Sequence, residues 1–160
     1  MAWKKWGLRM SHSRNELVEA KDPKVTVLMS VYNGERFLRE AVECILNQTF
    51  RDFEFLIIND GSTDGTRDII LSYKDSRIRL VNNKDNVGLT KSLNKGLAMS
   101  SGELVARQDS DDISSLHRLA QQVNFLDSHP EVVAIGSQIK AIGIHGQQLR
   151  HFSLQKPLTS

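Results

Sequence analysis

The sequence predicts an α/β domain built on a mostly parallel sheet flanked by helices. Short apolar, β-branched runs recur at residues 25–31, 53–58, 78–81 and 103–108. Segments with apolar residues at helical spacing separate them. That alternation is the pattern of parallel strands joined by crossover helices. Consecutive apolar positions, as in Val27-Leu28-Met29, indicate strands covered on both faces.

The elements follow in order. Residues 1–23 read as a leader and linker, poorly ordered, and 24–160 as the domain. In the leader, Lys4, Lys5 and Arg9 surround Trp3, Trp6 and Leu8. No apolar stretch follows, so the segment does not read as a secretory signal. A basic segment bearing Trp also suits a membrane surface, which gives the expectation of a cytoplasmic protein with peripheral membrane contact. The strand at 25–31 breaks at Tyr32-Asn33-Gly34. Phe37, Leu38, Ala41, Val42, Ile45 and Leu46 then predict a helix over 35–47. The strand at 53–58 stops at Asn59-Asp60-Gly61-Ser62-Thr63-Asp64-Gly65, a turn rich in caps and glycine. A short helix carries Ile69, Ile70 and Tyr73. After the strand at 78–81, Leu89, Leu93 and Leu97 mark a third helix ending near Ser101-Gly102. The strand at 103–108 runs into Asp109-Ser110-Asp111-Asp112. A fourth helix is expected over 115–128, with Leu116, Leu119, Val123 and Leu126 on one face, stopped by His129-Pro130. A strand at 132–136 and a hairpin pairing 139–144 with 148–153 around His145-Gly146 complete the chain.

Composition narrows the class. The 160 residues and 39% hydrophobic content suit one domain with a real core. A net charge of +2 gives no reason to expect a nucleic-acid partner. The one cysteine, Cys44, excludes a disulfide framework and a cysteine zinc site and fits a packed thiol in a reducing compartment. No apolar run reaches the ~18 residues of a membrane span.

The functional reading rests on placement. In open α/β sheets, ligands bind beyond the carboxyl ends of the strands. Three polar segments sit at such ends: 30–34, 59–64 and 109–112. A parallel sheet puts all three on one edge. An acidic turn alone is common, because Asp and Ser favour turns and caps. At this edge, Asp60 can accept hydrogen bonds from a base or ribose, and Tyr32 offers a flat face for stacking. Asp111 and its neighbours offer hard oxygens to a divalent cation. There is no Walker loop and no GxGxxG after the first strand, so phosphate handling by a metal is expected.

Val27-Leu28-Met29-Ser30-Val31-Tyr32-Asn33-Gly34, Gln48-Thr49-Phe50, Ile58-Asn59-Asp60-Gly61-Ser62-Thr63-Asp64, Asn86-Val87-Gly88-Leu89, Gly102-Glu103 and Asp109-Ser110-Asp111-Asp112 occur in this order. Over residues 24–145 the set resembles the nucleotide-sugar half of a family 2, inverting glycosyltransferase with the GT-A fold. The resemblance implies a Rossmann-like nucleotide-diphospho-sugar transferase sheet, cut before the acceptor half. It implies that Ser30, Tyr32, Asn33 and Asp60 meet the base and nucleoside, and that Asp109 faces the ribose or the metal region. It further implies Mn²⁺ or Mg²⁺ on Asp111 at the diphosphate, with Asp112 supporting. The implied donor is a nucleotide sugar, UDP-sugar favoured, and the implied acceptor a glycan or a lipid-linked sugar in polysaccharide biosynthesis.

The family's general base lies in the acceptor half. Here no Asp or Glu follows Glu131, so the base is expected beyond Ser160. His145 and His151 read as loop residues. A non-catalytic nucleotide-sugar-binding or assembly module is therefore the alternative. A sheet face left uncovered by a missing half would favour self-association. A receiver-like domain is disfavoured, because the first strand ends in Ser-Val-Tyr-Asn and not in an acidic pair. A nucleotidyltransferase with a metal-binding acidic triplet is a further, weaker reading.

Overall fold

A computed structural model describes residues 22–143, with backbone alone for 2–4 and 148–152. The strands are β1 (Ala2–Lys4), β2 (Val25–Val31), β3 (Phe53–Asn59), β4 (Ile78–Asn82), β5 (Leu104–Asp109), β6 (Ala134–Ile135), β7 (Ile139–Ile142) and β8 (Gln148–Phe152). The helices are α1 (Leu38–Leu46), α2 (Thr66–Ser72), α3 (Leu89–Met99) and α4 (Arg118–Ser128). One sheet has the order β4-β3-β2-β5-β1-β6. Strands β4, β3, β2 and β5 are parallel, while β1 runs antiparallel to both β5 and β6. The expected mostly parallel sheet with flanking helices is the observed architecture.

The strand order sets the layers. From β2 the chain steps outward through α1 to β3 and through α2 to β4, then returns through α3 to β5 on the other side of β2. Right-handed crossovers made in opposite directions put their helices on opposite faces. Val25, Val27, Met29, Phe55 and Ile57 accordingly pack with Leu38, Val42 and Ile45 of α1, Ile69 and Ile70 of α2 and Leu119 and Leu126 of α4. Leu28, Leu56, Ile58 and Val105 meet Leu93, Leu97 and Met99 of α3 on the other face. The central strands are thus buried on both sides, which is why β2 reads as an unbroken apolar run. Each large side chain buried there contributes about 1.5–3 kcal/mol. Gly96 lets α3 lie directly on Leu28, since a Cβ there would collide with the leucine methyls.

Several expected boundaries shift for local reasons. Helix α1 starts at Leu38, because the Gly34 carbonyl accepts from both Phe37 and Leu38 in a preceding turn. Helix α4 starts at Arg118 rather than at 115. The carbonyl of Ser115 accepts from the Gln48 side chain at 2.8 Å and that of Leu116 from the Thr49 N–H at 3.1 Å. These bonds hold 113–117 as a loop, so Leu116 is 51% exposed instead of facing the core. The strand expected over 132–136 keeps only two residues, because its partner β1 offers only Ala2 and Trp3 in register. That pairing also places part of the supposed leader inside the sheet, between β5 and β6. The hairpin forms as expected from β7 and β8, with a bulge at Ala141/Ile142. His145 lies outside the described residues, whereas the backbone of His151 is in β8 and not in a loop. Among the described residues, no helix is long and apolar enough to cross a membrane.

Candidate functional site

The reversal of direction between β2 and β5 is the switch point of the sheet, where an open α/β sheet leaves a crevice. In register, Ser30 lies between Ile58 and Asp109, and Val31 lies beside Asn59. The three polar segments therefore do share one edge. Tyr32 stands there 49% exposed.

The first two segments are tied together. Asn33, in the left-handed region at φ 50°, accepts the Thr63 N–H on Oδ1 at 2.9 Å and donates its own N–H to Ser62 Oγ at 3.0 Å. The Gly34 N–H reaches Thr66 Oγ1 at 2.9 Å, the Glu35 N–H donates to Asp64 Oδ2 at 3.1 Å, and Glu35 Oε2 accepts the Gly65 N–H at 2.9 Å. Burial would raise the Asp64 pKa, but the bonds from Thr66 and Glu35 outweigh it and hold it below the ordinary value. Asn33 thus spends its side-chain oxygen inside the protein.

Asp60 does likewise. It is 2% exposed. Oδ1 accepts from Asn83 Nδ2 at 2.7 Å and from the Val87 N–H at 3.1 Å, and Oδ2 accepts from the Gly88 N–H at 2.9 Å. Burial pushes its pKa up, yet the donors of Asn83, Val87, Ser92 and Gly88 prevail and lower it. The carboxylate fastens the 83–88 loop to the end of β3. Gly61 makes room for this loop at φ 71°, where a Cβ would come within 2.5 Å of the Asp85 carbonyl carbon.

At the end of β5, Asp109 is gripped by Arg107, with Nε to Oδ1 at 2.9 Å and Nη2 to Oδ2 at 3.0 Å. Asp111 is exposed. Asp112 has its pKa raised by burial and by the charges of Asp109 and Asp111. The acidic loop thus gathers negative charge that Arg107 offsets only in part. A divalent cation fits this donor chemistry. No group of three or more His, Cys, Asp or Glu is arranged to enclose a metal among the described residues. The loop can supply one or two carboxylates, leaving phosphate and water to complete an ion such as Mg²⁺.

Two glutamines to which the sequence assigned no role hold this loop. Gln48 and Gln108 are 0% and 3% exposed. Gln48 donates to the carbonyls of Cys44 and Ser115 and accepts the Leu119 N–H at 3.0 Å. Gln108 donates to the carbonyls of Asp109 and Asp112, and Arg118, 8% exposed, donates to Gln108 Oε1 at 3.1 Å. A glutamine inside an apolar strand was a signal, since buried polar groups need partners. Beside α3, Leu28, Leu89, Leu93, Leu97 and Arg107 line an open, mostly apolar recess of about 230 Å³.

A doubly wound sheet with a polar carboxyl edge and an acidic loop at its switch point is the Rossmann-like architecture of the GT-A fold, with a ligand crevice at that edge. The chain belongs to glycosyl transferase family 2, which matches residues 26–156. EpsE of Bacillus subtilis, a glycosyltransferase by name, is 43% identical over 118 residues, covering 72% of this chain and 42% of EpsE. The UDP-Glc:alpha-D-GlcNAc-diphosphoundecaprenol beta-1,3-glucosyltransferase WfgD of Escherichia coli is 34% identical over 105 residues, covering 66% of this chain and 42% of WfgD. S. aureus TarS, solved with UDP, superposes with a TM-score of 0.64 at 30% identity, over 67% of this chain and 33% of that one. The mannosyltransferase PcManGT from Pyrobaculum calidifontis, solved with GDP-Man and Mn²⁺, gives a TM-score of 0.59 at 28% identity, over 67% and 33% of the two chains. The matched part of the chain thus spans about two fifths of the length of these curated relatives.

Proposed function

We propose that this chain is the donor-binding part of an inverting glycosyltransferase. It takes a nucleotide sugar, UDP-sugar favoured, in the crevice between β2 and β5. The observation that carries this reading is the register that puts Ser30 beside Asp109 at the switch point, with Asp60 one strand away. The nucleoside lies against Ser30 and Tyr32, with Tyr32 as the stacking face. Asn33 and Asp60 act by holding the walls of the crevice, the first through Thr63 and the second through Val87 and Gly88. Asp109, oriented by Arg107, receives hydroxyls of the ribose or sugar. Asp111, with Asp112 beside it, would hold Mn²⁺ or Mg²⁺, which supplies neutralisation of the charge that grows on the departing nucleoside diphosphate. TarS solved with UDP and PcManGT solved with GDP-Man and Mn²⁺ support donor and metal alike.

The acceptor is a glycan or a lipid-linked sugar, a class that the name of WfgD supports. A second reading, donor binding without transfer, is favoured by one observation. Asp60 spends both oxygens on internal partners and Asp109 is charge-paired with Arg107, so neither carboxylate suits the role of base toward the acceptor. Copies would self-associate through a sheet face that the acceptor half would otherwise cover. Calorimetry with a panel of nucleotide sugars, with and without Mn²⁺, tests the donor. Mn²⁺-dependent binding led by UDP-sugars is expected, and failure of every nucleotide sugar to bind would remove the proposal.

A further inference from the structure

We propose that Gln108 is a positioning residue that shapes the acidic loop for its cation, an inference that rests on the metal reading above. Its side chain has two donors and two acceptor sites, and all four are used. Nε2 donates to the Asp109 carbonyl at 3.1 Å and to the Asp112 carbonyl at 2.7 Å. Oε1 accepts from Ser114 Oγ at 2.7 Å and from Arg118 Nη2 at 3.1 Å. The two carbonyls bracket Asp111, so one amide group fixes both ends of the turn that carries it. The Asp112 N–H closes the same turn on the Asp109 carbonyl at 3.3 Å. Through Oε1 the amide also ties the turn to Ser114 and to the start of α4. Gln48 supports the far side, joining the Ser115 carbonyl and the Leu119 N–H to α1. Gln108 is 3% exposed, so it acts through the backbone of Asp109 and Asp112. The same chemistry explains why an amide stands there. A carboxylate of equal shape accepts but does not donate, and it would add a fourth negative charge under three aspartates.

The test compares Gln108→Met, Asp111→Ala and the double variant in the full 160-residue chain, using UDP with and without Mn²⁺ in calorimetry. Gln108→Met should lower the Mn²⁺-dependent affinity about tenfold to a hundredfold, the usual effect of losing a partner that orients metal ligands. UDP binding without Mn²⁺ should be unchanged, and in the Asp111→Ala background the Gln108 effect should vanish. Ser114→Ala, which removes only one bond to Oε1, should give a smaller loss of the same kind and serves if Gln108→Met does not fold. Unchanged Mn²⁺-dependent affinity in Ser114→Ala and Gln108→Met would overturn the proposal, as would equal loss with and without Mn²⁺. If the wild-type chain shows no Mn²⁺ dependence at all, the metal reading itself falls and this inference with it.

Discussion

The N–H of Gly88 meets Oδ2 of Asp60 at 2.9 Å, so the last turn before α3 hangs from the carboxyl end of β3. With Asn83 and Val87 on the other oxygen, a single buried carboxylate sets one wall of the crevice. Asp60→Ala leaves these donors unpaired and should destabilise the protein and weaken UDP binding, each by about 1–3 kcal/mol. Inorganic pyrophosphate with Mn²⁺ should bind both forms alike, as calorimetry would show. Equal loss of pyrophosphate and UDP would mean that the whole edge depends on Asp60.

The same carboxylate carries a pH dependence. Its folded pKa lies below the ordinary value of 3.8. Between the folded and unfolded values the unfolded chain binds more protons, so stability rises with pH there. The contribution is complete above the unfolded pKa and is lost as pH falls through the folded one. Asp60→Asn should therefore be less stable near neutrality and show a shallower loss on acidification below 3.8. Urea melts at stepped pH measure this, and parallel curves for the two proteins would contradict it.

Gly61 offers a purely steric test. Its φ of 71° and the backbone of Asp85 and Asn86 against it leave no room for a methyl group. Gly61→Ala should cost about 1–3 kcal/mol, the range for a strained backbone residue. A thermal melt unchanged from wild type would show that the 83–88 loop moves freely.

Much of this was legible in the sequence because periodicity and placement carry it. The both-faces-buried runs of β2 and β3 announce a parallel sheet, and a parallel sheet alone puts Ser30, Asp60 and Asp109 on one edge. What could not be read was partnership. Nothing in the order of residues says that Asp60 faces three donors from 83–88, or that Asp109 pairs with Arg107 two residues earlier. Helix periodicity over 115–128 pointed to a longer α4, but tertiary bonds from Gln48 and Thr49 outbid it locally. Ala2–Lys4 was too short a run to register as a strand, and pairing on both sides stabilises it.

Transfer should be the step this chain lacks. The 160-residue chain is expected to bind a nucleotide sugar with Mn²⁺ yet to form no glycosylated product beyond slow hydrolysis, because transfer needs a free base at the acceptor hydroxyl and, among the described residues, Asp60 and Asp109 are held by internal partners. Mass spectrometry across a mixed acceptor library, with light scattering for self-association, checks both parts. A clear glycosylated product would place a base among the residues present.

The central claim is that the acidic loop binds the diphosphate through a cation on Asp111. The direct measurement is calorimetry of UDP with and without Mn²⁺ on the wild-type chain and on Asp111→Ala, with circular dichroism to confirm the fold. Asp111 is exposed, and its loss relieves repulsion on Asp112, so the variant should fold at least as well. The account predicts that Mn²⁺ strengthens UDP binding in the wild type and has no effect in Asp111→Ala. Equal Mn²⁺-dependent affinity in the two proteins would contradict it.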